Sequence, residues 1–376
     1  MAMALDSEPT FISHPAPELP LAERLPPEIV TPDEQTPLLK PDGALAGNGT
    51  PAGIPAPRPR TDDVTAFSGS RRLPQAIAHR GYTVVAPENS MLAFRAAVQA
   101  GAHAIETDLH LSKDGVVVLS HDASLKRCFG EDSKVRDHEW SYLSTLRTLR
   151  KPAQPMPRLL DLLEYLNQPG LENIWIMLDI KRDDDATELV RRTAETISSV
   201  HAIRPWKDRI LPCCWTAQYV KLSQKFLPGF PIAHVGFSSI YARALAARVP
   251  GLSVSMLRYM LAMPITGSRF IRDMKRSGHP IHVWTVNDED WMEWSIRKEL
   301  DGVITDDPKL FLEVCSRATE KEAEGKSRKS IVASLRIIRR DLYDWVRYVL
   351  FIIVLMTIYF FRNGLPQIQV RKMLGN

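Results

Sequence analysis

The sequence predicts an α/β protein built on a (β/α)8 (TIM) barrel across residues 73–318, with a disordered extension before it and a membrane-spanning helix after it. Three observations lead there. From Gln75 onwards, short β-rich runs alternate with stretches of helical period, as expected of repeated βα units around a parallel sheet. Eight or nine such runs fall within about 245 residues, close to the size of a (β/α)8 barrel. No Gly-rich phosphate fingerprint follows the first run, which leaves a doubly wound sheet as the weaker alternative.

In order, the expected strands are "QAIAHRG" (75–81), "AIETDLHL" (104–111), "VVVLSHD" (116–122), "NIWIMLDIK" (173–181), "RILPCCWT" (209–216), "PIAHVGF" (231–237), "LSVSML" (252–257), "PIHVWTV" (280–286) and "GVITDD" (302–307). Nine runs exceed eight by one, so "VVVLSHD" is expected to pair outside the closed sheet. Between them, helical period marks Ser90 to Ala100, Asp184 to Val200, Ala217 to Leu227 and Asp288 to Leu300, most with a polar residue near the start that could cap them.

The flanks differ from the barrel. Residues 1–60 hold 13 of the 28 prolines and no sustained apolar period, so residues 1–72 are expected to be a disordered tail. Within it "EQTPLL" (34–39) resembles an acidic dileucine sorting signal of vacuolar and lysosomal membrane proteins. Residues 319–344 read as a basic juxtamembrane segment that puts Ile331, Leu335 and Ile338 on one helical face, suited to an anionic leaflet. The uncharged run "YVLFIIVLMTIYFF" (348–361) follows, and 345–362 spans roughly 27 Å as a helix with its arginines snorkelling, enough for a thin bilayer. A short tail, 363–376, closes the chain. The basic excess before the run places the barrel on the cytosolic side, at an endoplasmic reticulum, mitochondrial or lipid-droplet surface, or at the vacuolar membrane.

Composition excludes some functions. At 44% hydrophobic and 24% charged the chain builds a core, and a formal charge of +4 gives no basic face for nucleic acid. Cys128, Cys213, Cys214 and Cys315 show neither metal-ligand spacing nor a disulfide framework, and the first residues lack the basic and apolar regions of a secretory signal. Oligomeric state is not legible.

The chemistry sits at polar interruptions of apolar runs. Glu106 and Asp108 are two apart in a strand and share a face, so two carboxylates aim at one point and repel unless a cation, Mg2+ or Ca2+, lies between them. Asp179 and Lys181 repeat the geometry, a candidate third ligand and a candidate phosphate or carboxylate partner. His79 ends the first expected strand and His121 the third, where barrel enzymes collect catalytic groups, and two imidazoles can divide general base and general acid work. Arg80 is a planar donor suited to two phosphate oxygens, and Gly81 permits a tight turn. His103, His110, His138, His201 and His234 are expected to be ordinary core or surface residues.

The strings "HRG", "PENS", "ETD", "SKDGVVVLSHD", "LDIK", "WTVN" and "DGVITDDP" resemble, in order and spacing, the glycerophosphodiester phosphodiesterase family across essentially all of residues 75–315. The resemblance implies a barrel enzyme that hydrolyses glycerophosphodiesters with one divalent cation. It implies His79 and His121 as the acid and base pair, Arg80 as phosphate ligand, Lys181 near the phosphate, Glu106 and Asp108 as metal ligands, and Glu88 and Trp284 beside the site. One departure is Asp179, where the family usually has Glu, a side chain one methylene longer.

A single hydrophobic C-terminal segment on such a barrel resembles a fungal subgroup of phosphatidylglycerol-specific phospholipases C. That likeness implies cleavage of phosphatidylglycerol to diacylglycerol and glycerol phosphate, by attack of the headgroup 2-hydroxyl on phosphorus. The alternative substrates are soluble glycerophosphodiesters or lysophospholipids, and the alternative of another class is an inactive lipid-binding module at the membrane.

Overall fold

The computed structural model describes residues 73–323 and, beyond them, only positions 346, 350 and 374. The expected N-terminal tail with its "EQTPLL" signal, and nearly all of the juxtamembrane segment, membrane anchor and C-terminal tail, lie outside the described residues. Among the described residues no helix is long and apolar enough to cross a membrane.

Nine strands form the sheet: β1 (Gln75–His79), β2 (Ala104–Leu111), β3 (Val117–Leu119), β4 (Trp175–Ile180), β5 (Ile210–Cys214), β6 (Ala233–Gly236), β7 (Ser253–Leu257), β8 (Ile281–Trp284) and β9 (Gly302–Thr305). Eight run parallel, and β1 pairs with both β2 and β9, which closes the barrel. The ninth, β3, is antiparallel to β2 beyond its pairing with β1, which ends at Glu106, so the expected extra run does lie outside the eight. The helices that follow the barrel strands are α1 (Met91–Gln99), α2 (Leu159–Leu166), α3 (Ala186–Ser199), α4 (Ala217–Phe226), α5 (Ser239–Ala246), α6 (Thr266–Arg276), α7 (Glu289–Arg297) and α8 (Pro308–Ala323). Helix α8 runs through the expected boundary at 318.

Every strand is covered on both faces, which is why the runs are nearly continuously apolar. Ile77, Ala104, Trp175, Met177, Leu211, Cys213, Ala233, Val235 and Ile304 form a cluster of alternate, inward positions, with Trp215 and Trp284 packed against it. The barrel is therefore filled, and the buried carboxylates occupy inward positions nearer the C-terminal strand ends.

Polar residues before several helices do cap them. Ser90, Asp185 and Asp288 accept hydrogen bonds from Ala93, Glu188 and Trp291 N–H at the starts of α1, α3 and α7. Thr216 does not cap α4. The hydroxyl of Tyr241 takes that place, accepting from Ala217 N–H at 2.9 Å. Residues 120–158, between β3 and α2, pack Leu125, Val135, Leu143, Leu146 and Met156 against Val118 of β3 in a small separate core.

Candidate active site

Strand pleating puts Glu106 and Asp108 of β2 on the inner face, and the β2–β4 register sets Asp108 opposite Asp179. All three carboxylates are buried, and one oxygen from each lies within 4.8 Å of the others. Oxygens bonded to one Mg2+ or Ca2+ sit up to about 5 Å apart, so the shorter Asp179 still reaches the common point. Burial, then the charge of Asp108, pushes Glu106 up to about 8. Burial also resists ionisation of Asp108, but Lys181, His121 and Arg80 outweigh it and hold that carboxyl well below its usual range. The side chains present thus leave Glu106 short of positive charge, and the hard oxygen set of the three carboxylates fits one divalent cation.

Lys181 lies among these acids rather than apart from them. Its Nζ is 2.9 Å from both Asp108 Oδ1 and Asp179 Oδ2, and the other oxygen of Asp179 accepts from Trp215 Nε1 at 2.7 Å. Asp108 Oδ2 accepts from Asn89 Nδ2 at 2.9 Å and lies 3.3 Å from Arg80 Nε.

His79 ends β1, and its Nδ1 is 2.7 Å from Asp306 Oδ1. Burial and Arg80 disfavour the imidazolium, yet Asp306 and, less strongly, Glu106 more than compensate and the His79 pKa is raised. Burial opposes the charge on Asp306 too, but His79 and Arg80 bring it down to about 2, and Asn287 Nδ2 donates to its second oxygen. Arg80 has a φ of 57° and Gly81 of 88°, both left-handed. The turn brings Arg80 N within 3.0 Å of Glu106 Oε2, and a Cβ on Gly81 would come 2.7 Å from Ala93 of α1.

His121 is not at a strand end as expected. Strand β3 stops at Leu119, and His121 lies two residues beyond, in a bend. The antiparallel hairpin is what returns it to the mouth, because β3 runs back along β2 and Ser120 N donates to Asp108 O. His121 Nδ1 is 2.7 Å from Asp122 Oδ1. His110, read as an ordinary core residue, is fully buried: Nδ1 contacts Asp184 at 2.7 Å and Nε2 the His121 carbonyl at 3.2 Å. Glu88 accepts from Arg80 NH1 at 3.0 Å and from Arg127, and against the opposing effect of burial these arginines lower it to about 2. Trp284 stacks edge-on to Trp215 with centroids 6.1 Å apart.

The nine residues singled out by sequence thus lie at or beside one site, and Asn89, Asp122, Arg127, Trp215, Asn287 and Asp306 join them. Asn89, Asp122, Asn287 and Asp306 fall inside the quoted family strings and Trp215 inside the run 209–216; the available signal is a position just past a strand or, for Asn89, just before a helix, and nothing local marks Arg127.

Fold and site together define a barrel enzyme for phosphodiester cleavage with carboxylate, guanidinium and imidazole groups. Residues 79–310 match the glycerophosphoryl diester phosphodiesterase family, and the chain belongs to that family; it is a phosphoric diester hydrolase with glycerophosphodiester phosphodiesterase activity. It is similar to probable glycerophosphodiester phosphodiesterase 2 of Mycobacterium tuberculosis, 28% identical over 256 residues covering 64% of this chain and 89% of the relative. Lysophospholipase D GDPD1 of Homo sapiens is 24% identical over 273 residues, covering 63% and 85% of the two chains. A solved phosphodiesterase of Oleispira antarctica, in complex with the product sn-glycerol-3-phosphate, shares the fold with a TM-score of 0.56 and 22% identity over 65% of this chain and 97% of its own.

Proposed function

We propose that this enzyme hydrolyses soluble glycerophosphodiesters or lysophospholipids, and that the observation carrying the chemistry is the buried Glu106, Asp108 and Asp179 triad beside two carboxylate-held histidines. The triad would hold one cation, Mg2+ or Ca2+, which when bound polarises the phosphoryl oxygens and offsets their charge. Arg80 and Lys181 bind and orient the phosphate. Asp306 and Asp122 are acceptors, so each histidine carries its proton on Nδ1 and exchanges protons with substrate through Nε2. One imidazole takes the nucleophile's proton, and the other gives one to the leaving oxygen. Glu88 and Trp284 support Arg80 and the barrel mouth.

The names of the relatives favour this substrate class over phosphatidylglycerol. The phosphatidylglycerol reading, with its likeness to the fungal phospholipase C subgroup, rests on the uncharged run 348–361, outside the described residues. The test is a panel of glycerophosphocholine, lysophosphatidylcholine and phosphatidylglycerol, each with and without EDTA. Cation-dependent turnover of the first two supports the reading, and turnover of phosphatidylglycerol alone replaces it. If phosphatidylglycerol reacts, equal rates on its 2-deoxy headgroup analogue rule out attack by the 2-hydroxyl.

We further propose that residues 345–362 anchor the chain with its barrel in the cytosol, supported by the uncharged run and the basic excess before it. Carbonate washing should leave the full chain in membranes and release a chain lacking residues 342–376. Equal extraction of both overturns the anchor.

A further inference from the structure

Arg127 lies outside every string that carries the family likeness, on the four-residue helical turn Lys126–Phe129. Its guanidinium uses all three nitrogens. NH1 and NH2 donate to the two oxygens of Glu88 at 2.7 and 2.8 Å, and Nε donates to Asp122 Oδ2 at 2.6 Å. Glu88 Oε1 also receives Arg80 NH1 at 3.0 Å, and Asp122 Oδ1 lies 2.7 Å from His121 Nδ1. A continuous chain of charge-assisted contacts therefore runs Arg80, Glu88, Arg127, Asp122, His121, with Arg127 at its centre. Without Arg127 the two carboxylates lose the guanidinium that donates to both, and each can carry its catalytic neighbour to a new orientation.

We propose that Arg127 is a positioning residue that fixes the phosphate-binding guanidinium of Arg80 and the imidazole of His121 relative to each other. The proposal rests on the roles given above to Arg80 and His121. A planar fork is required, because a lysine ammonium cannot present three coplanar donors to two separate carboxylates. The Arg127 side chain is 42% exposed, so solvent screens its ion pairs and limits what they add to folding. Its contribution falls on geometry instead: a misplacement of about 1 Å between reacting groups can cost ~100-fold in rate.

The test uses the full chain and glycerophosphocholine. Arg127→Ala should keep KM within about threefold while kcat falls ~100-fold, and added ethylguanidinium should restore part of kcat where ethylammonium restores none. Arg127→Lys should fold and still lose about tenfold in kcat, which decides the matter if Arg127→Ala does not fold. Wild-type kcat in either folded variant, or a loss in Arg127→Ala that ethylguanidinium does not relieve, overturns the proposal. His121→Ala and Arg80→Ala run alongside: full activity in these shows the failure of the assigned roles, whereas their inactivity beside a fully active Arg127 variant shows the failure of this inference alone.

Discussion

At His79 the question is which charge sets proton affinity. Burial and Arg80 both lower it, while Asp306 and, less strongly, Glu106 raise it, with a net rise. Asp306→Asn removes the larger raising influence and leaves the smaller one against the two lowering ones, so the His79-dependent limb of the kcat/KM profile should move to lower pH. A limb that stays in place contradicts this account. Glu88 gives the opposite sign. Its folded pKa is lowered from 4.5 to about 2, so its arginine contacts stabilise the fold fully above about 4.5, and that stability is lost as pH falls towards 2. Glu88→Gln should therefore lower Tm at neutral pH, with the difference from wild type closing as the pH drops through that window. A difference that is constant with pH would mean that Glu88 acts by packing alone.

At the scale of single elements, the turn from β1 to α1 is the most constrained piece of the site. Arg80, Gly81 and Asn89 all have positive φ, and there is no room for a side chain at Gly81 because α1 lies against it. Gly81→Ala should cost more than about 1 kcal/mol in urea unfolding and also lower kcat, since Arg80 must move with the turn. An active, fully stable Gly81→Ala would show that the turn has slack. The same elements explain what was legible in the sequence. Strand β2 betrayed its role because Glu106 and Asp108 alternate with Ile105, Thr107 and Leu109, and a period of two needs no tertiary knowledge. The run "VVVLSHD" invites a strand reaching His121, while β3 ends at Leu119, where the apolar residues stop, three residues short of the run's close. Asp306 stands 227 residues from His79, and Arg127 39 from Glu88. No local pattern encodes those pairings; the barrel closure and the 120–158 excursion create them.

For the whole molecule, eight parallel strands closed on one another put every chemical group at the C-terminal mouth while apolar layers fill the interior beneath. The account's central claim is that the Glu106, Asp108 and Asp179 cluster holds a divalent cation on which phosphodiester cleavage depends. The most direct measurement is glycerophosphocholine turnover by chelated protein as Mg2+ or Ca2+ is added back, comparing wild type with Asp179→Asn and Glu106→Gln. The account predicts almost no turnover without cation, saturable recovery in wild type, and variants that need far more cation or do not recover. Full turnover in the chelated protein, or recovery in both variants at the wild-type cation concentration, would contradict it.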